Sequence, residues 1–253
     1  MQFKISRLNT FLRFKVRLKK AYLHCRLFYF PFTDSYLFFK RFNWIPLEQS
    51  YKYTTGIVNL NEAKQFIDRK DIWKFCIEKI NSSQIQSKNY NKGLVLEFGV
   101  WEGKSINVIA KLMPKYHVYG FDSFFGLEED WSGTKNNKET FNVNGLMPVT
   151  RENVRIIPGW FNATLPRFLE ENLDKKIVLL HMDADTYTPT NFVLTALHNN
   201  ISRGTIIVFD EYFGYAKTWR FHEYKAFQEF IVNYRIKYRY IAFTNIAVAI
   251  EIL

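Results

Sequence analysis

The sequence predicts an α/β fold built on a mostly parallel, seven-stranded sheet that closes in a C-terminal antiparallel hairpin. Three observations carry that expectation. With 253 residues and 47% apolar content, the chain can bury one substantial core. From Gly93 onward, short apolar runs alternate with amphipathic stretches, the signal for βαβ units. Several of those runs end in glycine or in an acid, as strands do where they open onto a ligand face.

The expected strands are Leu94 to Phe98, His117 to Asp122, Val154 to Pro158, Ile177 to Met182 and Thr205 to Asp210, followed by a hairpin of Tyr238 to Phe243 and Ile246 to Ile252. Helices are expected near Lys104 to Leu112, Leu165 to Asn172, Thr190 to His198 and His222 to Tyr234. The Asn-rich stretch Gly133 to Gly145 reads as a mobile loop over the ligand face.

The net charge of +11 is concentrated at one end. Residues 1–42 hold ten Lys or Arg and one acid, Asp34, whereas the remainder is close to neutral. This divides the chain into a basic aromatic N-terminal extension, residues 1–50, and a main domain, residues 51–253. In the extension Arg13 to Lys19 alternates as a strand would, while Ile5, Leu8, Leu12 and Val16 would also line one helical face. Its mixture of bases and aromatics suits packing on the main domain, peripheral contact with an anionic membrane, or a nucleic acid; the last is the least favoured partner. No uninterrupted apolar run reaches the roughly 18 to 20 residues of a bilayer span, and no charge-free signal segment is present. Two cysteines, Cys25 and Cys76, build neither a disulfide framework nor a thiolate zinc site. The expected location is the cytoplasm, with the extension available for the inner membrane face.

The first strand runs into Glu97-Phe98-Gly99-Val100-Trp101-Glu102-Gly103, and Ser105 opens the next helix, whose first amides favour a negative group. A phosphate loop needs four residues between its first glycine and Gly-Lys-Ser, and only three separate Gly99 from Gly103. A dinucleotide site would want glycine where Trp101 stands. The second strand ends in Asp122, 25 residues after Glu97, near the roughly 20-residue offset at which an acid reaches ribose hydroxyls. Asp122 could equally cap the following helix.

The fourth strand runs into Asp183-Ala184-Asp185, and the fifth into Asp210-Glu211. Four carboxylates at neighbouring strand ends repel unless something neutralises them. A divalent ion with oxygen ligands, magnesium or manganese, does so and can acidify a substrate hydroxyl. His181 is expected to point away from Asp183 and to stay out of the cluster. The competing reading has these acids capping helices or pairing with Arg203 and Arg220. Asp185 could instead act as general base, with His222 as the competing base.

Five segments taken together resemble the macrocin O-methyltransferase (TylF-like) family. They are Glu97-Phe98-Gly99-Val100-x-x-Gly103-x-Ser105, Gly120-Phe121-Asp122-Ser123-Phe124-x-Gly126-Leu127, Gly159-Trp160-Phe161-x-x-Thr164-Leu165-Pro166, Met182-Asp183-x-Asp185-x-Tyr187 and Asp210-Glu211-Tyr212. The resemblance spans roughly Gly93 to Phe230. It implies a Rossmann-like class I methyltransferase fold, S-adenosylmethionine as cofactor, and magnesium-dependent methylation of sugar hydroxyls. It further implies Asp183, Asp210 and Glu211 as metal ligands and Asp185 as general base. The turn from Glu97 through Gly99 and Gly103 to Ser105 would hold the methionine part, Asp122 the ribose, and the Gly159 to Phe161 segment, with Trp160, the adenine; Ser123 is a further cofactor-binding candidate. Two departures stand out. The metal pair is Asp-Glu where some relatives carry Asp-Asp, and the basic extension matches no motif of the family. Rival expectations are a catechol-like or lipid-linked acceptor, an RNA-binding relative, and a membrane-associated protein in which the acids do no catalysis. A homo-oligomer is compatible with all of them.

Overall fold

The computed structural model describes residues 60, 62–87, 93–213 and 218–253. The N-terminal extension, with its strand, helix and partner expectations, lies outside the described residues. Chain order begins with β1 (Lys64–Gln65), α1 (Arg69–Ser87), β2 (Leu94–Phe98), α2 (Lys104–Leu112), β3 (Val118–Asp122), β4 (Val154–Pro158) and α3 (Phe161–Glu170). It continues with β5 (Ile177–Met182), α4 (Tyr187–Ala196), β6 (Ile206–Phe209), a 3-10 turn (Trp219–Phe221), α5 (Glu223–Asn233), β7 (Tyr238–Phe243) and β8 (Val248–Ile252).

All seven expected strands form, and the short edge strand β1 makes the sheet eight-stranded, in the order β1-β7-β8-β6-β5-β2-β3-β4. Pairings are parallel except where β8 runs antiparallel to β6 and β7. The hairpin's last strand begins at Val248 rather than Ile246 because the Ile246 carbonyl accepts the Tyr212 and Phe213 N–H groups instead of joining the ladder. Among the described residues no helix is long and apolar enough to cross a membrane.

β2 and β6 are buried at every position, as strands covered on both faces must be. Successive side chains alternate between two core layers. Leu94, Leu96 and Phe98 of β2 meet Leu165 and Phe168 of α3, Val193 and Leu194 of α4 and Phe227 and Phe230 of α5. Val95, Leu179, Ile206 and Val208 meet Ile72, Trp73, Cys76, Ile77 and Ile80 of α1 and Ile106 and Ile109 of α2. Helix α1 was not among the expected elements. It starts where the Asp68 carboxylate accepts the Lys70 N–H (2.9 Å), an N-terminal cap.

The strand order places β2 between β3 and β5, the point where the winding reverses direction. Ligands of open α/β sheets bind outside the carboxyl ends of the strands at that point. The backbone ladder runs one residue beyond each strand there. The N–H groups of Gly99, Gly159, Asp183 and Asp210 donate to the carbonyls of Phe121, Asp122, Phe98 and Met182, each at 2.9 Å. The glycine turn and the acid-bearing strand ends are thus held on a single rigid edge.

Candidate active site at the carboxyl edge of the sheet

Gly99 adopts φ +92°, and a β-carbon there would fall 1.9 Å from the Asp183 carbonyl oxygen. Only glycine lets the turn after β2 lie against the start of the acidic loop. Val100 and Trp101 N–H groups both donate to one Asp122 oxygen (2.7 Å each), and the Phe124 N–H donates to the other (2.7 Å). Asp122 therefore ties β3 to the glycine turn and retains acceptor capacity, since an ionised carboxylate has about four lone-pair positions. Ser123 uses its hydroxyl locally, accepting from Phe125 N–H (3.1 Å) and donating to the Gly126 carbonyl (3.2 Å). Gly103 (φ +75°) is the residue before α2 and packs on Pro148. Across the crevice, Gly159 (φ +133°) precedes Trp160, which is 40% exposed and whose extended backbone opens α3.

Glu97 is fully buried. The Ser105 hydroxyl donates to its Oε1 (2.8 Å), and its Oε2 lies 3.2 Å from His181 Nδ1. The other imidazole nitrogen lies 3.8 Å from Asp210 Oδ1, and Trp73 of α1 meets the ring edge-on at 5.4 Å. Glu97, His181 and Val208 are register neighbours on β2, β5 and β6, so their side chains share the α1 and α2 side of the sheet. The expectation that His181 points away from Asp183 is corrected here. Residues two apart on a strand share a face, and ligand atoms of His181, Asp183 and Asp210 lie within 4.8 Å of one another.

A second group of the same size consists of Asp183, Asp185 and Glu211. Asp183 thus joins both, and Asp185 stands among the candidate metal ligands. Asp185 holds φ +61°, a conformation that an L-residue keeps only when its surroundings enforce it. The enforcing bond is the Thr186 N–H to the Ala184 carbonyl (2.6 Å), which closes a three-residue turn across Asp185.

Two residues essential to this arrangement had not been singled out. Glu223, the fully buried first residue of α5, accepts the Ala184 N–H (3.3 Å) and the Glu211 N–H (3.2 Å), clamping both acidic loops from behind. Arg69, the first residue of α1, pairs through Nη1 with Asp210 Oδ2 and stands 3.7 Å from Glu211 Oε1. From sequence, Arg203 and Arg220 stand as candidate partners of these acids, and Arg69 is not among them.

Burial pushes the carboxyls of Asp185, Glu211 and Glu223 well above the usual carboxylate range, and the nearby Asp183 charge adds to the effect. Asp183 and Glu97 are raised by burial too, with His181 opposing in both cases. Glu97, Asp183, Asp185, Asp210, Glu211 and Glu223 share this edge, and among the described residues Arg69 is the permanently charged cation beside them. Glu211 Oε2 and Asp210 Oδ1 are buried without a hydrogen-bond donor. An all-oxygen donor set short of positive charge fits a hard divalent cation.

His222 sits apart from the acids' donor network. It donates from Nε2 to the Ser132 carbonyl (3.0 Å), its ring lies near Trp131, and burial holds its pKa below the ordinary imidazole value. With the Thr218 hydroxyl on the same carbonyl (2.7 Å), it pins the start of the Gly133 to Gly145 loop. Further along, Phe141 reaches Trp101 at 5.2 Å, which puts this loop beside the glycine turn.

Residues 96–212 match a family described as a methyltransferase domain. The chain is 25% identical over 183 residues to the 8-demethyl-8-(2,3-dimethoxy-alpha-L-rhamnosyl)-tetracenomycin-C 4'-O-methyltransferase of Streptomyces olivaceus, a match covering 63% of this chain and 66% of that protein. It is 29% identical over 157 residues to the mycinamicin III 3''-O-methyltransferase of Micromonospora griseorubida, covering 53% of this chain and 60% of that one. The chain thus spans a little under two thirds of the length of these curated relatives. Among solved structures, a calicheamicin methyltransferase superposes with a TM-score of 0.56 at 22% identity, covering 81% of this chain and 90% of its own. The architecture is the Rossmann-like methyltransferase fold.

Proposed function

We propose that the protein is an S-adenosylmethionine-dependent, divalent-metal-dependent O-methyltransferase acting on a sugar hydroxyl of a glycosylated small molecule, of the macrocin O-methyltransferase type. The observation that carries this reading is Asp185, held at φ +61° among Asp183 and Glu211 beside the glycine turn. Strained residues of this kind cluster at functional sites. The relatives support the reaction class, since both are named as O-methyltransferases and one name specifies a rhamnosyl group.

The two acidic groups that share Asp183, with Asp210 in one and Glu211 in the other, support a metal, and the crevice beside the glycine turn supports the cofactor. Asp183, Asp210 and Glu211 would hold the metal. The Gly99 to Gly103 turn, Asp122, Ser123, Gly159 and Trp160 would line the cofactor crevice, with buried Glu97 and Ser105 bracing the turn from beneath. When bound, the sulfonium supplies a transferable methyl group and the metal supplies charge that makes an acceptor hydroxyl more acidic. The chain contributes position and proton transfer. Asp185 accepts the hydroxyl proton on its carboxylate, and burial, which raises its pKa, helps it retain that proton. Glu223 fixes the backbone of both acidic loops, so the ligand oxygens and the base keep their mutual placement. His222 secures the loop, and Asp185 is the base.

In this reading the basic extension serves peripheral contact with an anionic surface, checked by liposome flotation with and without residues 1–42. The decisive experiment is mass spectrometry of incubations with S-adenosylmethionine and a panel of glycosides and nucleotide sugars, with magnesium or with excess chelator. A mass gain of one methylene on a glycoside, lost in chelator, is expected. Undiminished product in chelator would remove the metal, and product on non-sugar hydroxyls alone would remove the acceptor class.

A further inference from the structure

Arg69 lies 141 residues from its partner Asp210 in sequence and reaches the acids from a different layer of the fold. As the first residue of α1 it stands at the positive end of a helix, where a cation is disfavoured unless an anion holds it. Here Asp210 and Glu211 hold it. Asp210 is almost completely buried and Glu211 largely so, while the Arg69 side chain is 45% exposed. The guanidinium is therefore the solvent-side cover of an acid pair whose other neighbours are protein.

We propose that Arg69 is a built-in competitor for the metal site, a positioning residue that holds Asp210 and Glu211 in the metal-free protein and leaves them when a divalent ion binds. This inference rests on the metal-dependent reading above. The geometry supports competition rather than cooperation. The guanidinium is placed on the two residues of β6's carboxyl end proposed as ligands, and cation beside cation raises the cost of occupancy. Arg69 is half exposed, so it can withdraw into water at little cost. Trp73, one turn along α1, packs on His181, which itself faces Asp210. Release of Arg69 thus loosens the first turn of α1 while Trp73 keeps the rest of the helix in place.

The test compares the intact wild-type chain with Arg69→Gln and Arg69→Lys, titrating each with manganese by calorimetry and following backbone hydrogen exchange in residues 66–80. Arg69→Gln should bind manganese roughly two- to fivefold more tightly than wild type, the gain expected when a half-exposed competing ion pair is removed, with Arg69→Lys closer to wild type. Manganese should speed exchange in the first turn of α1 in wild type and have no such effect in Arg69→Gln. Equal or weaker manganese binding by Arg69→Gln, with wild type binding normally, would overturn the competitor role and leave the metal site standing. Binding by Arg69→Gln but not by wild type supports the competitor role in its strongest form. No binding by any of the three overturns both readings.

Discussion

At the scale of single residues, Asp185 and Asp122 carry different burdens, and conservative substitutions separate them. Asp and Asn tolerate the left-handed region better than other side chains, so Asp185→Asn keeps the turn while removing the proton acceptor. Product formation should fall by roughly 10²- to 10⁴-fold, the usual worth of a positioned general base, with cofactor affinity unchanged. A kcat near the wild-type value would exclude Asp185 as the base. Asp122 accepts three backbone N–H bonds that shape the glycine turn. Asp122→Ala strands those donors, at about 1–3 kcal/mol for each that stays buried and unpaired. It should therefore lower both thermal stability and S-adenosylmethionine affinity in titrations. A variant with unaltered cofactor affinity would take Asp122 out of the ribose site.

At the scale of elements, the junction between β2 and β5 is the most sensitive point. Gly99→Ala would put a methyl group 1.9 Å from the Asp183 carbonyl while demanding φ +92° from an alanine. A loss of about 2–4 kcal/mol is expected from overpacking and backbone strain together, read as a lower denaturation midpoint in urea. A midpoint within error of wild type would show that the turn can relax. The strands around this junction were legible because each is a short apolar run ending in glycine or acid. The acids were legible as well, since strand ends at one sheet edge must converge. Helix α1 was overlooked although Ile72, Trp73, Cys76, Ile77 and Ile80 recur at helical spacing and are all buried. Arg69 and Glu223 were not legible in the same way. Each is an ordinary charge at a helix start, and its partners come from strand ends 141 residues away for Arg69 and 12 and 39 for Glu223. His181 was misjudged through a slip in the period of two, which the ladder register corrects.

At the scale of the whole molecule, the acidic edge makes the fold's stability depend on pH and metal together. Glu97, Asp183, Asp185, Glu211 and Glu223 are all raised, chiefly by burial. A carboxyl whose pKa is higher folded than unfolded favours folding while both states are protonated, below about pH 4. That contribution is lost as pH rises through the folded value, because the unfolded chain releases the proton first. Each unit of elevation is worth about 1.4 kcal/mol per group. His222 works in the opposite sense, since its lowered pKa costs stability as pH falls below about 6.5. One imidazole against five carboxyls leaves the fall dominant. The metal-free protein should therefore lose thermal stability as pH rises above about 4, where the unfolded carboxyls begin to ionise and the buried ones do not. A divalent ion binds the ionised acids and displaces their protons, so the stabilisation it confers should grow across the same range. Differential scanning calorimetry at several pH values, with manganese or with chelator, measures both slopes. A metal-free melting temperature that rises toward pH 8, or a manganese increment that shrinks there, would mean that the buried acids stay satisfied by Arg69 and His181 alone.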